Sequence, residues 1–161
     1  MARAYVDDLG VAGARAALKS GFDAGPSLVM FVGHSAPSQW TFDPLFTSGD
    51  ARSLANAGRP AVVLQFGCWN AYFVSPRADT LGHALLLSGD RGAAAAFGAT
   101  ALTSLAAHQT LSSALVPRLL LGTTLGAAML AAKREVAATA PGRRDAIIGT
   151  ALLGDPAMRM R

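Results

Sequence analysis

Cysteine is nearly absent from this chain: Cys68 is the only one among 161 residues. No internal disulfide can form, and no paired thiols at zinc-ligand spacing exist, so neither a metal nor another cofactor is expected. Long apolar runs are missing too. Nothing reaches the ~20 residues of a membrane-spanning helix, and residues 1–20 carry charges where a signal peptide would have its apolar centre. A membrane span is therefore not expected and no export signal is visible. Charged residues make up only 15% of the chain and aromatics 7%, so the net charge of +4 is spread thinly. Apart from KRE at 133–135, GRR at 142–144 and RMR at 159–161, basic residues are scattered and none interleave with aromatics. Solvated helix faces and chain ends account for that pattern, and nucleic acid is not an expected partner.

What is plentiful is small and apolar. Hydrophobic residues reach 52%, in short runs between glycines and prolines. A chain of this length makes one packed domain that buries roughly 70% of its unfolded surface. The stretch 7–21 has acidic residues at its front and a glycine at its end, which predicts a helix. SLVMFVG (27–33) is an apolar run bounded by Pro26 and polar residues and predicts a buried strand. TSGDARSLANAG (47–58) offers a short helix, and PAVVLQFG (60–67) a second strand. After a loop through Pro76, DTLGHALLLSG (79–89) predicts a helix that feeds a third, alanine-thin strand at 92–100. Strands alternating with helices at this spacing predict an α/β domain with a parallel sheet covered on both faces. The remainder reads as helical: 104–122 with a break near Pro117, 124–142 stopped by Pro141 and Gly142, and a closing segment with a Gly-Asp-Pro turn.

Chemistry concentrates in FVGHSAPSQW (31–40), which can be read in two ways. Gly33-His34-Ser35-Ala36-Pro37 resembles the Gly-x-Ser-x-Gly turn that lifts a hydrolase serine. That turn needs a very small residue two places after the serine, where this chain has Pro37. The proline ring adds bulk and biases Ala36 away from the helix that should begin there. The other reading uses sheet geometry, since reacting groups in open α/β sheets gather beyond the carboxyl ends of the strands. His34 follows VMFVG and Cys68 follows VLQFG, so both stand one residue beyond a strand-like run and its glycine. If these strands are neighbours, a thiol and an imidazole flank one crevice, the thiolate to attack a carbonyl and the imidazole to protonate the leaving amine. The N–H groups of Ser35 and Cys68 would face the developing oxyanion. The plainer alternative is a packed thiol and a loop histidine.

The series LVMFVGHSAPSQW, PAVVLQFGCWNAYF, LGHALLLSGDRGAAAAFGAT, TLGAAMLAAKR and LLGDPAM resembles the second half of the catalytic domain of gingipain-type cysteine peptidases, family C25. The resemblance runs from about residue 8 to the C-terminus and rests on the ordered series, each fragment being weak alone. It implies a caspase-like three-layer sandwich, His34 as catalytic histidine and Cys68 as nucleophile. Two departures accompany it. The family has His-Gly where this chain has His34-Ser35, and the family's catalytic domain has further strands upstream of the point where this chain starts.

The resulting expectation is the second half of a caspase-like cysteine endopeptidase domain, acting on a peptide or protein. Trp40 and the loop Ala99, Thr100, Ala101, Leu102 and Thr103 are expected to wall the substrate pocket, with His83 and His108 structural. An upstream segment, or a second copy at the open sheet edge, is the expected partner. The rival expectations are an inert caspase-like binding or assembly module and a CHAT-type peptidase. Compartment stays open, because members of the family are commonly exported.

Overall fold

The computed structural model describes residues 2–74 and 79–160. In chain order the elements are α1 (Val6–Asp23), β1 (Leu28–Val32), β2 (Ser35–Ala36), β3 (Gln39–Trp40), β4 (Phe46–Thr47), α2 (Ser48–Arg52), β5 (Ala61–Phe66), α3 (Leu81–Leu86), β6 (Ala93–Ala99), α4 (Leu105–Leu120), α5 (Leu125–Thr139), α6 (Arg144–Ile148) and β7 (Thr150–Gly154). The main sheet has the order β1-β5-β6-β7. Its first three strands are parallel, as the sequence predicts, and β7 runs antiparallel to β6. A strand bounded by helical crossovers on both sides must be apolar on both faces. β5 fits, with all six residues AVVLQF buried.

Alternate residues of β5 serve two cores. Val62, Leu64 and Phe66, with Ala95 and Phe97 of β6, pack under α4, α5 and α6. Ala61 and Val63 face the opposite layer, where α1, α2 and α3 close over an aromatic cluster of Phe22, Phe31, Trp40 and Phe46. The domain is thus the expected α/β sandwich of three layers. Thr47, Thr80, Ser104 and Thr124 cap α2, α3, α4 and α5, each accepting a hydrogen bond from the N–H three residues on.

Three local features depart from the sequence reading. Pro117 lies within α4 and does not break it. It sits in the last turn and is exposed, so the Ser113 carbonyl it leaves without a donor can be solvated. The closing segment contains β7, a strand the sequence reading missed. The loop after β1 folds into a small antiparallel sheet, β2-β3-β4, with Ser35 opposite Trp40. The loop through Pro76 lies outside the described residues. Among those described, no helix is long and apolar enough to cross a membrane.

β1 is an edge strand, and among the described residues nothing pairs with its outer side. On the α4–α5 face of the sheet, Met30 is 52% and Val32 48% exposed. Unpaired N–H and C=O groups beside exposed apolar side chains form a template for another strand. The isolated 161-residue chain is therefore expected to self-associate at micromolar concentration. Met30→Lys or Val32→Lys should reduce that association in light scattering without lowering the denaturant midpoint. Scattering unaffected by either lysine would remove β1 as the contact.

Candidate active site

The geometry begins with the ends of two strands. Val32 lies opposite Phe66, and the Gly33 N–H donates to the Phe66 carbonyl at 3.1 Å. His34 and Cys68 therefore leave the sheet from the same carboxyl edge, on neighbouring strands about 4.8 Å apart. No hydrogen bond joins the two side chains. His34 is exposed and tilted against the Phe42 ring, with centroids 5.0 Å apart. The half-buried Cys68 thiol instead donates to the Thr103 carbonyl at 3.4 Å and lies 3.9 Å from Thr103 Oγ1.

A buried side-chain network ties these ends together. Ser35 Oγ donates to the Cys68 carbonyl at 2.7 Å and accepts from Asn70 Nδ2 at 3.1 Å. Asn70 is fully buried; its Oδ1 accepts from the Ala99 N–H at 3.0 Å and its Nδ2 also faces the Gln65 carbonyl at 3.5 Å. One amide thus spans the chain after β1, the end of β5 and the end of β6. Two glycines leave room for it. A methyl at Gly67 would lie 2.2 Å from Ser35 Oγ and 2.8 Å from the Gly33 carbonyl oxygen, and one at Gly98 would lie 2.4 Å from Asn70 Oδ1. Between Cys68 and Asn70 the backbone turns sharply through Trp69, which holds a left-handed φ of 62°. Such a conformation costs a non-glycine residue roughly 1 kcal/mol or more and is sustained here by its surroundings. The Trp69 N–H donates to the Ala101 carbonyl and the ring meets Tyr72 edge-on.

The other expected site residues divide between the carboxyl edge of the sheet and the core. Trp40 does not wall a pocket. It is 1% exposed, stacked on Phe31 at 4.6 Å, and its Nε1–H donates to Gln65 Oε1, because the β2-β3 hairpin turns the indole inward. Ala99 is likewise buried, as the last residue of β6 rather than part of the loop. Thr100 is held by the Gly149 carbonyl, which accepts both its N–H and its hydroxyl. Leu102 is 69% exposed, and Thr103 faces the sulfur. The Cys68 N–H has no hydrogen-bond acceptor among the described residues. Thr41 N–H donates to the His34 carbonyl, so Ser35 and Trp40 form a non-bonded pair of the hairpin ladder and the Ser35 N–H points away from it. His83 is half-buried on α3.

His108 proves closer to the chemistry than its apolar helix suggests. It is 3% exposed on α4, edge-on to Phe66, and its Nε2 lies 2.6 Å from Thr103 Oγ1. Burial pushes its pKa below the ordinary imidazole value, opposed by the charge of Asp145. Burial alone would raise the Asp145 carboxyl, but hydrogen bonds from Ser104 and from the N–H groups of Ala146 and Asp145 outweigh it and hold the pKa down. Neither Asn70 nor the Thr103–His108 pair was visible in the sequence as part of the site.

Comparison with known proteins decides the family. The model of peptidase family C25 matches residues 1–161. The chain belongs to family C25. Among solved structures, it is similar to the complex of Porphyromonas gingivalis RgpB pro- and mature domains, with 18% identity and a TM-score of 0.80 over 91% of this chain and 37% of that one. It is also similar to the Arg-specific cysteine proteinase gingipain R (RgpB), with 17% identity and a TM-score of 0.72 over 89% of this chain and 35% of that one. These likenesses show that the C25 chain shares the caspase-like gingipain fold. It spans little more than a third of the length of either structure. No curated protein matches it.

The lowered pKa of His108 has a consequence for stability. Above the ordinary value of 6.5 the imidazole is neutral in both folded and unfolded chains. Below it the unfolded chain takes up a proton that the folded chain refuses, so stability falls with falling pH, at most by about 1.4 kcal/mol per unit, until the folded pKa is passed. His108→Gln removes this contribution. Urea midpoints measured on the two sides of pH 6.5 should fall less steeply in the variant, and equal slopes would mean that the folded imidazole takes up protons freely.

Proposed function

We propose that this C25 chain is the histidine–cysteine half of the catalytic domain of a cysteine-type endopeptidase. The observation that supports this most strongly is the delivery of Cys68 and His34 to one carboxyl edge by adjacent parallel strands, with Ser35 and Asn70 clamping the two strand ends. In this reading His34 takes the thiol proton and the Cys68 thiolate attacks the scissile carbonyl. The C–N bond then breaks as His34 passes the proton to the departing amine. Water, deprotonated by the same imidazole, attacks the thioester and releases the acid, and the thiol is restored. The free Cys68 N–H and the outward Ser35 N–H are suited to the oxyanion. Leu102 and Thr103 flank the sulfur side of the crevice.

The gingipain structures extend well beyond the portion this chain resembles, and further parts of the substrate cleft are assigned to such additional chain. None of His34, Ser35, Cys68, Leu102 and Thr103 is acidic, so none of these five would pair with a basic substrate side chain. A protein partner that completes the sheet at β1 fits the same division.

In full-length protein, a peptidyl acyloxymethyl ketone should label Cys68, and His34→Ala should slow peptide cleavage about 100- to 10,000-fold while leaving the unfolding transition in place. Cleavage that persists with Cys68 unmodified would defeat the dyad, and absent cleavage together with an unreactive thiol would favour the inert binding module.

Ser35 separates the dyad from the serine reading. Both hydrogen-bonding roles of its hydroxyl are occupied by Cys68 and Asn70, which makes it a brace. Ser35→Ala should cost about 1 kcal/mol of stability and retain most activity, and fluorophosphonate should leave the protein unlabelled. Covalent modification at Ser35 would reverse the assignment.

A further inference from the structure

The thiol of Cys68 makes no hydrogen bond to His34; its hydrogen-bonding neighbours are both atoms of Thr103. That residue is held in turn. Thr103 Oγ1 lies 2.6 Å from His108 Nε2, the Ser104 N–H donates to Asp145 Oδ2 at 2.8 Å, and the Ser104 hydroxyl caps α4. The Thr103 methyl packs where Gly149 has no side chain, since a Cβ there would stand 3.3 Å from Thr103 Cγ2. The loop between β6 and α4 is therefore fixed at both its main chain and its hydroxyl, immediately beside the sulfur.

From this geometry we propose that Thr103 and His108 form a second arm of the catalytic site, in which Thr103 Oγ1 hydrogen-bonds the Cys68 sulfur and His108 sets the direction of that hydroxyl. The inference deepens the peptidase reading and rests on it. A hydroxyl has one proton to give and two lone pairs. When the neutral His108 carries its proton on Nε2, Thr103 Oγ1 accepts from the imidazole and its own O–H is free to donate to sulfur. Such a bond strengthens once Cys68 loses its proton, because the acceptor is then charged. The thiol proton goes to His34, the Thr103 proton stays on oxygen, and no other bond changes. Thr103 touches the reacting atom, whereas His108 is a positioning residue. The titratable groups disposed around the sulfur are His34 at the end of β1, His108 on α4 and, behind it, Asp145 on α6.

The test reads the sulfur without a peptide substrate. In full-length protein, the rate of iodoacetamide alkylation of Cys68 is followed against pH, with the unfolding transition of each variant as control. Thr103→Val, which keeps the shape but lacks the hydroxyl, should move the alkylation midpoint up by about half a unit to one unit. Thr103→Ser should restore it. His108→Gln, with an amide donor, should stay near the wild type, and His108→Leu should behave as Thr103→Val does. A folded Thr103→Val variant with an unmoved midpoint, or a Thr103→Ser variant that fails to restore it, overturns the proposal. Peptide cleavage that survives Cys68→Ala would sink the peptidase reading alone, since the midpoints report the hydroxyl–sulfur contact independently of turnover.

Discussion

A single buried amide holds the carboxyl edge of the main sheet together. Asn70 accepts from Ala99, donates to Ser35 and faces the Gln65 carbonyl, so it reaches the ends of three parallel strands at once. Parallel strands diverge beyond their last ladder bond, and a loop there is normally the softest part of an α/β sheet. In this chain the divergence is bridged by the fully buried Asn70 and the half-buried Ser35, and a satisfied network there is rigid. The bareness of Gly67 and Gly98 belongs to the same device, because each lies where a methyl would strike Ser35 or Asn70. His34 and Cys68 inherit fixed positions from main chain that is clamped on both sides of them.

How much of this could be read from the residues follows from the range of the forces involved. Ala61–Phe66 and Ala93–Ala99 were legible because a strand covered on both faces must be apolar throughout and must end where glycine and polar residues begin, and Leu28–Val32 because it is an apolar run closed by Gly33, although its Met30 and Val32 are exposed. The placing of His34 and Cys68 beyond such runs followed directly. Thr150–Gly154 was hidden because TALLG is short, follows a helix and carries no alternation. Trp40 was misplaced because a two-residue hairpin strand decides which way the indole faces, and no periodicity exists over two residues. Asn70 and Ser35 stand 35 positions apart, and only the closed fold brings them to 3.1 Å. His108 reads as one of several polar residues on α4, and its partner Thr103 lies in the preceding loop.

The two faces of the sheet do different work. Toward α1, α2 and α3 the core is aromatic, with Phe22 stacked on Phe46 and Phe31 on Trp40. Flat rings make a dense wedge under the hairpin that leads away from His34. Toward α4, α5 and α6 the contacts are mostly aliphatic, with Phe66 and Phe97 the aromatic members, and the helices present small residues such as Ala107, Ala114, Ala128 and Ala132 to the strands. The histidine side of the crevice thus rests on aromatic packing and the Thr103 side on close helix–sheet approach. β1, shared by both, pairs with β5 alone among the described residues and leaves Met30 and Val32 exposed, and it is where the domain has least support of its own.

The thinness of β6 has a mechanical meaning. Between Ala93 and Ala99 only Phe97 has a side chain larger than a methyl. Large side chains in a core can change rotamer to absorb a disturbance, while methyl groups have nothing to rotate. On the side of α3 the strand presents no such side chain, so a displacement of α3 would pass to it without a rotamer to damp it, and from its end into the loop that carries Thr103. β6 acts as a stiff spacer of fixed thickness, and any residue that thickened it would reset the clearance around the sulfur from a distance.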